Sequence, residues 1–302
     1  MRRFRSLVRS AVLETLAEPL SAVLFLVALL TIPLLPAFHC HQFGDAGRLP
    51  RECGFSALLV FGIVFATSSA VRVVGGELTS GTASAALARD VPRPLFFCAK
   101  VTGVLAAFAL FAMAVGLSTL ASVATAEMGL VQERLGFLPI WKPGLILAVL
   151  LTLAGFAAAG ALNRFRRMRF CVTACMAVAL AQVPVLAFVA VQATVPLSLT
   201  LLPALGVLAV GCCVFIVLAG ALAVRLPPAA VTTGVALAVL SSFIWPARAV
   251  LPDIERFWLV DCFSYGGVPT CGQLVAPLAV GALLVVFWLV VGSILLERRE
   301  IS

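Results

Sequence analysis

Charge is scarce in this chain of 302 residues: only 11% are Asp, Glu, Lys or Arg, while 63% are hydrophobic and the mean hydropathy is +1.16. Soluble domains carry about 25% charged and about 45–50% apolar residues, so a water-soluble globule is excluded. Disorder is excluded as well, because it needs low hydrophobicity and many charges. Lysine occurs twice, at Lys100 and Lys142, and neither follows a glycine or precedes Ser or Thr. The chain therefore has no Walker A phosphate loop and cannot hydrolyse ATP by that route. Histidine also occurs only twice, at His39 and His41, so an HExxH zinc site and a buried Ser–His pair are both excluded. No GxSxG elbow exists. The aspartates are Asp45, Asp90, Asp253 and Asp261, all outside the apolar runs. That removes an intramembrane aspartyl protease and the paired acidic clusters that hold magnesium and diphosphate. No acid or histidine lies deep in an apolar run, and Glu127 at the end of one is the nearest. Proton or sodium relays are usually built from such groups.

What is present is a series of long uncharged runs. A bilayer span takes about 20 apolar residues. Residues 19–38, 54–71, 101–126 and 143–163 each meet or approach that length. Between Arg169 and Arg225 no charge occurs, and one straight helix of that length would rise about 80 Å against a hydrocarbon core of about 30 Å. The run must fold back, and QATVPLS at residues 192–198, with Pro196, supplies the turn. Residues 226–247 and 272–296 complete the set. Lipid offers backbone groups no hydrogen-bond partner, so each span is expected to be a helix. The expectation is an all-α, polytopic transmembrane helical bundle in a single domain, with eight spans, six being the alternative.

The basic residues give the expected orientation. With both termini in the cytoplasm, fifteen Arg and Lys lie inside with six acids, a net +9. Six basic and seven acidic residues lie outside, a net −1. The overall charge of +8 is then topological and calls for no nucleic-acid partner. At the start of the chain, Phe4, Leu7, Val8, Val12, Leu13 and Leu16 recur at helical spacing among Arg5, Arg9 and Glu14. Residues 1–18 are accordingly expected to form an amphipathic helix on the inner surface, leading into an uncleaved first span.

The most distinctive inner segment is GGELTSGTASAALARDVPRPLFFCAK, residues 75–100. Thr79, Ser80 or Thr82 can cap a short helix and Pro92 can stop it. The order Glu77, Gly81-Thr82, Leu87, Val91-Pro92-Arg93 and then Lys100 leading into a span resembles the ABC-2-type permeases. In that family a similar pattern follows the second span and forms a coupling helix seated in a groove of the ATPase subunit. The proline follows valine here, and Ala99 stands where the family usually has glycine. The resemblance covers residues 1–125 and is architectural beyond them. It implies a permease dimer, without catalytic residues or cofactor of its own, working with two separate ABC ATPase subunits as an exporter. Glu77, Arg89 and Arg93 would contact the ATPase and Leu87 would anchor the helix of a coupling loop spanning residues 75–95. The alternatives are a membrane scaffold or assembly factor, or an ATP-independent transporter. A bacterial inner (plasma) membrane location fits the nineteen arginines against two lysines of a GC-rich genome.

Nine cysteines divide into two groups. Cys98, Cys171, Cys175, Cys212 and Cys213 lie in or beside spans and read as packing residues. Cys40, Cys53, Cys262 and Cys271 lie in outer segments, where Cys40–Cys53 and Cys262–Cys271 are the simplest of three connectivities and free thiols are the alternative. His39-Cys40-His41 alternates imidazole and thiol, and the chain also resembles permeases associated with copper-enzyme maturation. Adjacent side chains splay apart, however, and no further ligands stand out, so no metal site is assigned beyond His39 and His41 as candidates. In the outer loop 247–271, Ile254, Phe257, Trp258 and Asp261 recur at helical spacing, as in a short interfacial helix.

Overall fold

The computed structural model describes residues 2–34, 45–79, 92–134, 142–193, 197–244, 251 and 253–299. Among the described residues every regular element is helical. Helix α1 (Arg2–Leu16) bends by 66° into α2 (Pro19–Leu34). Ser21 Oγ, donating to the Thr15 carbonyl at 2.8 Å, ties the two sides of that bend. Helix α3 (Arg48–Ala70) continues through a π turn (Val71–Gly76) into a last turn at Glu77–Thr79. Then come α4 (Arg93–Arg134), α5 (Lys142–Arg166), α6 (Phe170–Gln192), α7 (Leu201–Ala223) and α8 (Pro228–Ile244). A single turn, α9 (Ile254–Phe257), and a 3₁₀ turn (Val260–Gly266) precede α10 (Cys271–Glu297).

All eight apolar runs are thus helical. Six helices are long and apolar enough to cross a membrane, α3 to α7 and α10, or up to seven if α1 and α2 form one bent span. Over its described length, Pro228–Ile244, α8 is apolar but shorter than these six. The turn expected at residues 192–198 falls between α6 and α7, with residues 194–196 outside the described set.

Burial within the bundle sorts the helices. The apolar windows of α3, α4 and α7 are 61%, 61% and 67% buried, against 17% for α5 and α10. Helices α3, α4 and α7 therefore form the centre, and α5 and α10 present apolar faces outward, as lipid-facing helices do. Phe25, Phe65, Phe108 and Phe111 join α2, α3 and α4 through ring contacts of 5.1 to 6.4 Å. Offset and edge-on geometries of this kind add to the packing of apolar area.

Polar groups in the interior are satisfied mostly within their own helices. Thr67, Thr119, Thr125 and Thr152 each bond a carbonyl four residues back. Ser122 instead donates across to the Ile32 carbonyl at 2.9 Å. That bond ties α4 to the last turn of α2. Gln182 of α6 donates to Thr152 of α5 at 3.1 Å. Cys175 and Cys212 are buried packing residues, as expected.

The described ends of the inner segment 75–95 are helical, as α3 runs to Thr79 and α4 begins at Arg93, and continuing helix satisfies backbone groups that a loop would expose. Pro92 directly precedes α4, which suits a residue lacking a backbone donor. In the described part of 247–271 an α-helical turn and a 3₁₀ turn stand in place of one continuous short helix, with Ile254 and Phe257 pointing into the bundle and Asp261 exposed. Phe257 packs against the bare backbones of Gly211 in α7 and Gly281 in α10.

Candidate coupling site at one end of the bundle

Lys100 lies two turns into α4 and is 1% exposed. A buried ammonium has to be paired and hydrogen-bonded. Its Nζ donates to Glu14 Oε2 of α1 at 3.0 Å and to Glu77 Oε1 of α3 at 2.5 Å. The Phe96 ring, one turn earlier, lies 6.0 Å from Nζ. Ser10 Oγ in turn donates to the other oxygen of Glu14 at 3.0 Å. One cation therefore clasps three chain segments. The π turn contributes to this placement: its i+5 pattern takes up one extra residue, which swings Glu77 by about 100° relative to an uninterrupted helix. Gly75 and Gly76, poor α-helix formers, stand in that turn. A second ion pair at the same end, Arg72 to Glu18 at 3.5 Å, links the π turn to the α1–α2 bend.

Arg93, the first residue of α4, reaches a different element. Its Nη1 donates to the carbonyls of Glu297 and Arg299 at 2.9 Å each. Arg225, after α7, donates to the Arg298 carbonyl at 3.0 Å, and Arg299 donates back to the Val224 carbonyl. The last carbonyls of a helix have no partner within it and carry the negative end of its dipole. Two arginines from elsewhere in the chain thus cap α10.

The segment between Thr79 and Pro92 consequently has both feet fixed. One foot is Glu77 on the Lys100 clasp, and the other is Arg93 on the end of α10. Gly81, Thr82, Leu87 and Arg89 lie outside the described residues. Pro92 is exposed at the mouth of α4. Glu77 and Arg93, expected as contacts to a partner, are both engaged inside the bundle. Lys100, expected at the head of the third span, is the centre of the clasp.

At the opposite end, Arg51 of α3 binds both Asp45 oxygens, at 2.9 and 3.1 Å, and the Phe263 carbonyl at 3.0 Å. It thereby pins the 3₁₀ turn before α10 to the start of α3. Replacing Arg51 by Gln should lower stability in detergent by about 2 kcal/mol, the usual worth of hydrogen bonds to a charged group. A denaturation midpoint indistinguishable from wild type would show that this link is idle.

Among the described residues no three His, Cys, Asp or Glu side chains gather as metal ligands would. Among the described residues, Cys53, Cys262 and Cys271 stand as separate thiols. Cys271 is exposed at the start of α10 while Cys262 sits in the preceding turn. Cys40, His39 and His41 lie outside the described residues.

Sequence reasoning missed Glu14, Ser10, Arg225 and Arg299 as members of these clusters. Glu14 had a legible signal. At about 100° per residue it projects only about 60° from Ala11, and Ala11 is fully buried. It is thus an acid at the edge of the inward face of an otherwise basic helix. For Arg225 and Arg299 nothing in the sequence signals the contact.

Taken together, the apolar helices mark the chain as a polytopic membrane protein by length and composition, with a charged clasp at one end of the bundle. No family model, curated protein or solved structure matches the chain.

Proposed function

We propose that this chain is the permease subunit of an ATP-driven exporter of the ABC-2 type, coupled through residues 80–91 to a separate ATPase subunit. The observation that carries this reading is the way that segment is held: both of its feet are fixed to helices of the bundle. Force applied to such a segment passes into α1, α3 and α4 through the Lys100 clasp, and into α10 through Arg93. A slack loop would dissipate it. Two permeases pair, and the path for the cargo opens where they meet.

In this reading the clasp end faces the cytoplasm of a bacterial cell, where the positive-inside bias places most of the arginines. The bent α1–α2 pair and the short α8 join the six long helices as the seventh and eighth crossings, which returns both termini to the cytoplasm. Hydrolysis belongs to the partner, since this chain has no phosphate loop.

The test is purification of the tagged chain from its native membrane, asking whether a Walker-containing ATPase accompanies it. Because Glu77 and Arg93 hold the bundle together, the informative variant is Leu87→Asp with Arg89→Glu, in the segment itself. The ATPase should co-purify with wild type and be reduced at least tenfold with the variant, while yield and melting temperature stay unchanged. Absence of any ATPase, even after crosslinking, would leave a scaffold or an ATP-independent transporter as the better reading.

A further inference from the structure

At the clasp end, a groove of about 420 Å³ opens between the π turn of α3 and the α7–α8 connection. That is within the usual range for small-ligand sites, about 300–1,000 Å³. Its lining divides by chemistry. Arg72, Arg225 and Arg299 supply guanidinium groups, and Val71, Leu226, Pro227, Pro228 and Val231 supply an apolar wall. A Cβ on Gly76 would meet nothing within 4 Å, so the floor is open there.

Among the described residues, the charge of this groove is largely uncompensated. Arg225 and Arg299 spend hydrogen bonds on the uncharged carbonyls of Arg298 and Val224, which orients them and leaves their charge in place. Arg72 has one acid nearby, Glu18 at 3.5 Å, and its side chain is 56% exposed. A planar guanidinium suits phosphate oxygens, which accept two parallel hydrogen bonds from it. Position decides the kind of phosphate. The groove lies where α7 ends and α8 begins, level with the ends of the apolar helices, and half of its wall is apolar. A free inorganic anion would leave that wall in water, whereas the acyl chains of a lipid would cover it.

We infer that this groove binds an anionic phospholipid, with its phosphodiester among Arg72, Arg225 and Arg299 and its chains along Val71, Leu226 and Pro228. Occupancy ties the π turn to the head of α8. The lipid thereby steadies the turn that presents Glu77 to Lys100. This site is independent of the identity of any ATPase, and the following experiment involves none.

The full chain, purified and stripped of lipid, is offered equal amounts of phosphatidylglycerol and phosphatidylcholine, and bound lipid is counted by native mass spectrometry. Wild type should retain phosphatidylglycerol in roughly tenfold preference, and each groove arginine removed should lower the preference about fivefold, the worth of one basic residue near an anionic surface. Arg72→Gln is the first variant, because its side chain is exposed and bears little packing. Leu226→Glu, which sets a carboxylate in the groove and leaves every arginine hydrogen bond intact, should abolish the preference. Arg164→Gln with Arg166→Gln, which removes two exposed charges at the end of α5, should leave it unchanged. An unchanged preference in both Arg72→Gln and Leu226→Glu would overturn the assignment, as would an equal loss in the α5 control. Inorganic phosphate at millimolar concentration displacing the lipid completely would also overturn it, by showing a site for a free anion.

Discussion

Replacing Lys100 by methionine should destabilise the folded chain by about 3 kcal/mol, with a melting temperature in detergent several degrees lower. Methionine fills similar space, so loss of packing contributes little. The cost arises because Glu14 and Glu77 are left facing each other without their shared cation. Removing one partner of a buried pair typically costs about 3–5 kcal/mol. The lower end applies, since the Glu14 side chain is 39% exposed and water screens part of its charge. This origin of the cost has a sharp consequence. If stranded charge is responsible, adding Glu14→Gln and Glu77→Gln to Lys100→Met should recover at least half of the loss. Failure of the triple variant to recover, with the single variant still destabilised, would mean that the ammonium acts through something other than its two carboxylates. Activity should not recover with stability, because the rescued chain no longer ties α1 to the end of α3.

At Gly103 α4 lies close against the backbone of α1, and alanine there should be nearly as damaging as a larger residue. A Cβ at this position would lie 2.4 Å from Ala11 Cβ, 2.9 Å from the Val8 carbonyl oxygen and 3.2 Å from the Val12 nitrogen. Two of those atoms belong to the backbone, so no side-chain rotation relieves the clash and α1 as a whole has to move away. Overpacking of a tight interior costs about 1–3 kcal/mol. Displacing α1 also draws Glu14 away from Lys100, which places Gly103→Ala toward the upper end. Gly76→Ala is the matched control, because a Cβ there meets nothing. It should be neutral in stability. Proteolysis of the N-terminal segment should accelerate with Gly103→Ala and stay at the wild-type rate with Gly76→Ala. Both changes strain the same seam, so Gly103→Ala and Lys100→Met combined should cost less than the sum of the two. Full additivity would separate the seam from the clasp.

Much of the architecture was legible because bilayer-scale hydrophobic runs carry their own signal. The runs at 143–163 and 272–296 became α5 and α10 with ends shifted by a few residues. The fold-back between Arg169 and Arg225 follows from length alone. The division at the start of the chain was legible too, since a separate amphipathic helix was expected over residues 1–18 and a span from Pro19, and α1 and α2 meet there at a 66° bend. At the site, Glu77, Arg93 and Lys100 were recognisable as unusual charges beside apolar runs, but their orientation was not. Of the three, Glu77 and Arg93 looked like contacts waiting for a partner outside the chain, and Lys100 like the head of a span. Two of them find each other, and the third finds the end of a helix about 200 residues away.

By itself, the sequence determined which segments are helical and apolar, and which chemistries are absent. These properties depend on residues close together in the chain. Only the tertiary structure decided which charge meets which. That outcome depends on the rotation of each helix about its axis, on the extra residue taken up by the π turn at Val71–Gly76, and on the close approach allowed by a bare backbone at Gly103. A shift of one residue turns a helical side chain by about 100°, enough to move Glu77 off Lys100 without altering any local pattern.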